Sequence, residues 1–310
     1  MEKVIVKAPA HLHVGNFDFS GDLGRLFGTL GFAIDLPIEV EVSKSKRIEA
    51  DDDWARECVK RFSEEFSLEG AKVSIRKEIP RFVGLGFHTT LALSIGSALS
   101  ELYGLSIRTE EIALVMRRGA ITALGVYAFK NGGFLVEGGF RVDQRGKMIP
   151  PLIFRAPVPE NWFFVVAVPK EPREEIRKFR SMEEHILTKL KPMPTRDSDE
   201  LSRMVLVKIM PSILENDLKS FGEGLTSFNS KLGEFWYERG RKYCHPTVER
   251  GIRIMLEGSA CACQSSWGPT FYGIVEGREK AEALVGKLRA IAGDVFYVKA
   301  NNEGAKVEVC

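Results

Sequence analysis

The sequence predicts an α+β protein in two domains, and three observations predict it. At 310 residues the chain exceeds the roughly 100–200 residues that one domain usually holds. Strand-like alternation is mixed with paired helical stretches rather than with regular strand-helix-strand units, which is the pattern of an antiparallel α+β sandwich. A proline-punctuated segment, Pro150-Pro151 to Pro157 and Pro159, parts the chain near its middle, so the expected domains are residues 1–155 and 156–310.

Composition restricts the function classes. The hydrophobic fraction of 44% and charged fraction of 28% are those of an ordinary soluble globular protein. With 44 basic against 42 acidic residues, the formal charge of +2 argues against nucleic acid or a membrane surface as main partner. Any anion site must be local. Five cysteines, Cys58, Cys244, Cys261, Cys263 and Cys310, make neither a disulfide framework nor a paired Cys-x-x-Cys zinc pattern, and a reducing cytoplasm is expected. Cys261-x-Cys263 reads as two small buried residues. No stretch approaches the ~18 apolar residues of a membrane span, and Met1-Glu2-Lys3-Val4 resembles the start of a strand rather than a leader.

In chain order, Lys3 to Ala8 alternate as a strand that Pro9 should end, just before His11-Leu12-His13-Val14-Gly15-Asn16-Phe17-Asp18. Ser20 to Gly28 is polar and glycine-punctuated, hence a loop, and its wealth of His, Asp and Arg favours a functional one. Gly31 to Ser43 returns as strand. Asp51-Asp52-Asp53 caps a helix whose Trp54, Cys58, Phe62 and Phe66 recur every fourth residue and so form one buried stripe. Val73, Ile75 and Ile79 mark the strand feeding Val83-Gly84-Leu85-Gly86-Phe87-His88-Thr89-Thr90, beyond which Leu91, Ile95, Ala98, Leu99 and Leu102 share a helical face that Gly104 ends. Thr109-Glu110-Glu111 opens another helix. Val126 to Phe129, Asn131-Gly132-Gly133 and Phe134 to Val136 read as a hairpin. In the second half, strands are expected at Trp162 to Val168, on both sides of the loop Ser265-Ser266-Trp267-Gly268-Pro269-Thr270, and at Asp294 to Lys299. Helices are expected near 173–190, 199–210, 215–236, 246–257 and 278–292.

The 83–90 stretch reads as a phosphate loop. Gly84 and Gly86 let the backbone turn tightly and present its N–H groups, and the helix that follows adds a positive dipole end. Thr89 and Thr90 stand at the helix mouth as caps, hydroxyl donors to an anion, or metal ligands. By itself such a loop is also a plain strand-to-helix turn.

Four segments in one order carry a resemblance: Lys7-Ala8-Pro9 to Asp18, the Gly84-Leu85-Gly86 loop, Arg118-Gly119 to Gly125, and Ser265-Ser266-Trp267-Gly268. Together they resemble the GHMP superfamily of small-molecule kinases, over nearly the whole chain. Leu12-His13-Val14-Gly15 with Asp18, Leu23-Gly24-Arg25 and Gly28, followed by Gln264 to Thr270, is most similar to archaeal beta-ribofuranosylaminobenzene 5'-phosphate synthases of methanopterin biosynthesis. The resemblance implies an S5-domain-2-like N-terminal domain, a ferredoxin-like C-terminal domain and a homodimer. It also implies a reaction in which phosphoribosyl pyrophosphate condenses with a 4-substituted benzoate, losing CO2 and pyrophosphate, with Mg2+ and without ATP. On that reading His13, Asp18 and Arg25 are the catalytic candidates. Gly84, Gly86, His88, Thr89, Thr90, Ser265, Ser266, Trp267 and Gly268 contact the substrates, and Asp18 and Thr90 suit the metal. Asp18 and Arg25 also suit a loop-internal ion pair, His13 a structural hydrogen bond, and Trp267 a core plug.

The sequence departs from that family at four places, one of them Gly28-Thr29, where a Gly-Gly pair is usual. Phe87 and His88 replace small residues after Gly86, His11 stands where an arginine is usual, and Ala120-Ile121-Thr122-Ala123 replaces a segment with a basic pair and a glycine. Two lost charge-assisted phosphate contacts, each typically ~1.5–3 kcal/mol, would weaken binding on the order of a hundredfold or more. A synthase, an ATP-dependent small-molecule kinase and a ligand-binding paralogue without catalysis are therefore the three readings the sequence supports.

Overall fold

The structure is a computed structural model that describes residues 3–170, 192–237 and 241–310. Its first half is built on two long strands, β1 (Lys3–Asn16) and β3 (Thr29–Lys44), which pair antiparallel along almost their whole length. Alternate residues of β1, Val4, Val6 and Ala8, are fully buried, as the period of two demands. Pro9 does not end the strand. It lies opposite Pro37 at a register shift, where a residue with no N–H costs the ladder nothing, so β1 runs on through His11 and His13.

Between these strands lies β2 (Arg25–Leu26), and after them come β4 (Glu49–Ala50), α1 (Asp53–Phe66) and β5 (Ala71–Lys77). The Asp52 side chain accepts the Ala55 N–H and fixes the start of α1, and Cys58 and Phe62 form its buried stripe. The glycine loop then enters α2 (Phe87–Leu102), followed by α3 (Thr109–Val115) and α4 (Leu124–Asn131).

The expected hairpin at 126–136 is a helix followed by a strand, β6 (Phe134–Glu137). Leu124 to Phe129 are all buried, so no polar face interrupts the run and its period is hidden. Strands β7 (Phe140–Arg141) and β8 (Leu152–Ala156) complete this half, and β2 and β7 form a small two-stranded ribbon of their own.

The second half begins with β9 (Trp162–Val168). The helix expected near 173–190 lies outside the described residues. Helix α5 (Thr195–Met204) passes through a wider π-type turn at Val205–Ile209 into α6 (Met210–Leu214), and α7 (Leu218–Trp236) and α8 (Pro246–Leu256) follow. Strands β10 (Cys263–Gln264) and β11 (Phe271–Glu276), α9 (Arg278–Leu288) and β12 (Asp294–Val298) make a four-stranded sheet in the order β10-β11-β9-β12, with α8 and α9 against it. A last strand, β13 (Lys306–Val309), returns to pair with β1 in the first sheet.

The two sheets share one interior. Phe32 of β3 lies 5.0 Å, ring to ring, from both Phe134 of β6 and Phe164 of β9, and Phe134 lies 5.3 Å from Phe221 of α7. Helix α7 lies against β1 so closely that a side chain at Gly15 would overlap Leu232. This contact places the end of β1 and the end of α7 on one cavity. Among the described residues no helix is long and apolar enough to cross a membrane.

Candidate functional site

Where β1, the glycine loop, the 117–125 segment and α7 converge, they enclose a cavity of about 880 Å³. That is within the range of small-molecule sites. Its floor is backbone. Gly86 adopts φ +80°, and a side chain there would overlap the imidazole of His11. A Cβ at Gly125 would come within 2.8 Å of both His11 and Thr89. The glycines are therefore required by the close passage of the loop and of α4 over His11.

The glycine loop is held from the far end of the sequence. Ser265, fully buried, donates its hydroxyl to the Gly84 carbonyl at 2.7 Å and accepts the His13 N–H at 3.0 Å. Thr270 donates its N–H to Val83 O at 3.2 Å, and the His11 N–H reaches Leu85 O at 3.3 Å. Thus the first, second and fourth sequence segments are fastened to one another by hydrogen bonds. The third is joined by Arg118, whose guanidinium donates twice to Thr89 Oγ1, at 3.0 and 3.1 Å.

The charge of the lining is one-sided. Arg117, Arg118, Arg145 and Lys242 contribute cations, and among the described residues no aspartate or glutamate lines the cavity. Lys242 is also bound at 2.9 Å to Glu234. Arg145 and Gly146 arrive at the exposed tip of the excursion 138–149 that leaves β6. His11 is held near pKa 4, well below the ordinary histidine range, first by its depth in the protein and then by the Arg118 charge, and so is neutral near pH 7. Part of the remaining wall is apolar and aromatic, with Val14, Phe27, Leu124, Leu232, Trp236 and Trp267, and part is neutral and polar, with Asn16, Asn229 and Gln264. Trp236 and Trp267 meet edge to face at 4.5 Å.

Of the residues singled out in the sequence, His13, Gly84, Gly86, Thr89, Ser266 and Trp267 are brought together on this lining. Asp18, Arg25, His88, Thr90, Ser265 and Gly268 are not among the residues that line it. Asp18 accepts the N–H and the hydroxyl of Ser20, each at 2.7 Å, and Arg25 donates to the Gly139 carbonyl at 2.9 Å, so neither partner choice is the ion pair the loop suggested. The His88 ring packs beside Phe82 and Trp54. Thr90 is buried and gives its hydroxyl to the Pro9 carbonyl at 3.4 Å, a helix-packing role. The sequence reading missed Arg145, Lys242, Asn229, Trp236 and Tyr237 as lining residues. Nothing in their local pattern marks them; a basic residue in an exposed loop is the only signal, and it is a common one. His11 was legible only as a departure.

The described residues hold no cluster of three or more His, Cys, Asp or Glu side chains able to hold a metal ion. With Asp18 engaged by Ser20 and Thr90 turned onto Pro9, the residues expected to bind Mg2+ do not form a protein-built cage.

Residues 53–133 match the GHMP kinases N terminal domain and residues 209–293 the GHMP kinases C terminal domain. A protein of Methanothermobacter thermautotrophicus named beta-ribofuranosylphenol 5'-phosphate synthase is 29% identical, with 98% of each chain covered. The protein of the same name from Archaeoglobus fulgidus is 28% identical over 98% of this chain and 99% of its own. Among solved structures, homoserine kinase from Cytophaga hutchinsonii superposes with a TM-score of 0.68 at 19% identity, over 99% of this chain and 98% of that one, which shows a shared fold.

Proposed function

The chain belongs to the GHMP kinase superfamily, and on that premise we propose that it is a pentosyltransferase joining phosphoribosyl pyrophosphate to a 4-substituted benzoate with loss of CO2 and pyrophosphate. The observation that carries this reading is a cavity lined by Arg117, Arg118, Arg145 and Lys242 with no carboxylate among its described residues. Such a lining suits a donor with a phosphate at one end and a diphosphate at the other. One carboxylate about 4 Å from a phosphate would oppose binding by roughly 4 kcal/mol at an effective dielectric near 20.

The chemistry explains why a general base is dispensable. As the bond from ribose C1 to the diphosphate oxygen breaks, the diphosphate takes the electron pair and C1 gains oxocarbenium character. Arginine guanidinium groups and loop N–H groups hold the departing charge. The arene carbon that bears the carboxylate attacks C1. The carbon–carboxylate bond then breaks, CO2 leaves, and its electron pair restores the aromatic ring. No proton has to be removed. A kinase acceptor hydroxyl, by contrast, must lose one, and among the described residues the lining offers no carboxylate to take it.

The arene would lie against the apolar wall that includes Trp236, Trp267, Leu124 and Leu232, where it is shielded from water. Carried over from the names of the relatives, the product would be a phenol riboside, so the 4-substituent would be a hydroxyl. Since the described residues do not build a magnesium cage, Mg2+ would be held by the diphosphate oxygens and water, and no step is assigned to it.

The test is a stoichiometric assay of pyrophosphate and CO2 with phosphoribosyl pyrophosphate, Mg2+ and either 4-hydroxybenzoate or 4-aminobenzoate. Equal release of both products that requires donor and arene together is expected, with the hydroxy acid preferred. Turnover of ATP, or no pyrophosphate with either arene, would overturn the reading.

A further inference from the structure

Glu137, the last residue of β6, is 1% exposed and takes no part in the chemistry above. One carboxylate oxygen accepts the Ala123 N–H at 3.2 Å and the other the Gly139 N–H at 2.6 Å. The Thr29 hydroxyl also bonds to it, and Thr29 Oγ1 in turn accepts the Asn16 side-chain amide at 2.7 Å. Asn16 lines the cavity.

These partners belong to separate parts of the site. Ala123 immediately precedes α4 and closes the 119–122 wall, which the cavity touches at each residue. Gly139 is the base of the excursion that carries Arg145 to the cavity, and its carbonyl receives Arg25. We propose that Glu137 is a positioning residue whose ionised carboxylate ties the 119–125 wall to the base of the 138–149 excursion and so sets the cavity shape that receives a polyanion.

Both oxygens are needed as acceptors, because each faces a backbone N–H. Protonation turns one into a donor and loses that bond. The charged and titratable groups facing Glu137 are Arg25 from β2 and Tyr127 from α4, with Thr29 from β3 as a neutral donor. Burial outweighs these and raises the carboxyl to about 7. The ionised, tying form therefore prevails above neutrality and is lost as the pH falls through it.

The probe is inorganic pyrophosphate with Mg2+, titrated into the wild-type chain and into Glu137→Gln at about pH 6 and about pH 8. The amide of the variant keeps size and shape but sets an NH2 group against an N–H. The wild-type advantage in affinity should grow from near one at the lower pH to roughly tenfold at the higher. Protonation of pyrophosphate itself cancels in that ratio, and a merely structural loss would leave the ratio the same at both. An unchanged ratio overturns the proposal. Should the variant not fold, or pyrophosphate bind neither chain, hydrogen exchange of the Ala123 and Gly139 amides in the wild type decides. Protection corrected for intrinsic rate should rise severalfold across the same interval, and a flat profile overturns the proposal. Absent pyrophosphate binding removes the donor reading of the cavity without touching the amide measurement, so the two failures are distinct.

Discussion

Two loops rich in glycine and polar residues serve the cavity in opposite ways. The 83–90 loop lines it with backbone, and its own large side chains, Phe87 and His88, point into packing elsewhere. The 18–28 loop carries Asp18 and Arg25, the charges that looked catalytic, yet both are engaged by partners away from the cavity lining, Ser20 and Gly139. The first loop is tied to distant segments by Ser265, Thr270 and His11, whereas Asp18 bonds two residues away and Arg25 reaches the ribbon. Both backbones are anchored at long range, since the Met193 N–H bonds to the Phe19 carbonyl and the Val142 N–H to the Gly24 carbonyl; the loop that shapes the site is distinguished by the backbone it lays on the cavity at Gly84 and Gly86, not by the charge it carries.

The largest effect should come from Gly86→Ala. A methyl group there overlaps the His11 ring at a positive φ, so the loop or the ring must move, at a cost of roughly 2–4 kcal/mol in stability together with at least a hundredfold loss of turnover. Thermal melting and steady-state rates would register it. A Gly86→Ala protein with nearly normal turnover would break the contrast, because the loop would then not depend on its backbone path.

Next comes the pH dependence that His11 imposes. Its pKa is about 4 in the fold against 6.5 in the unfolded chain, so between those values the unfolded chain binds the extra proton. Stability from this group is intact above 6.5 and is lost progressively as pH falls to about 4, by on the order of 3 kcal/mol. Denaturant titrations at stepped pH should show that slope, and His11→Gln should flatten it. An equal slope in the variant would locate the acid sensitivity in other groups.

Much of the fold was legible, for reasons visible in particular residues. Trp54, Cys58, Phe62 and Phe66 gave α1 because one face is buried and the other wet, and β9 was legible as an uninterrupted apolar run. The same logic hid α4, whose Leu124 to Phe129 are buried all round, and β13, four exposed residues that pair with β1 at the other end of the chain. In the site, glycines were readable because backbone strain constrains residue type. The directions of Asp18, Arg25 and His88 were not, since they depend on tertiary partners. Arg145 and Lys242 supply charge that the altered 120–123 segment lacks, and they come from stretches with no motif.

A smaller effect should follow from Arg118→Ala. Its guanidinium lies on Thr89 at the mouth of α2, and loss of one charge-assisted phosphate contact costs ~1.5–3 kcal/mol, a roughly tenfold to hundredfold rise in KM for the sugar donor. The same change removes one of the two influences that depress His11, so its pKa should rise. Arg118→Lys keeps the charge but not the fork and should recover part of the affinity only. A KM unchanged in Arg118→Ala would take the anion away from the glycine loop.

The smallest effect sharpens the comparison most. Asp18→Ala removes the acceptor of two bonds from Ser20 within a half-buried turn, worth about 0.5–1.5 kcal/mol of local order, and takes no group away from the cavity lining. Turnover should therefore stay within severalfold of wild type, with the melting temperature lowered by a few degrees at most. Were Asp18 instead a ligand for the metal or the ribose, the same substitution would abolish turnover while leaving the melting temperature almost unchanged. Those two results are opposite in both measurements, so a single variant decides whether the 18–28 loop is scaffold or machinery.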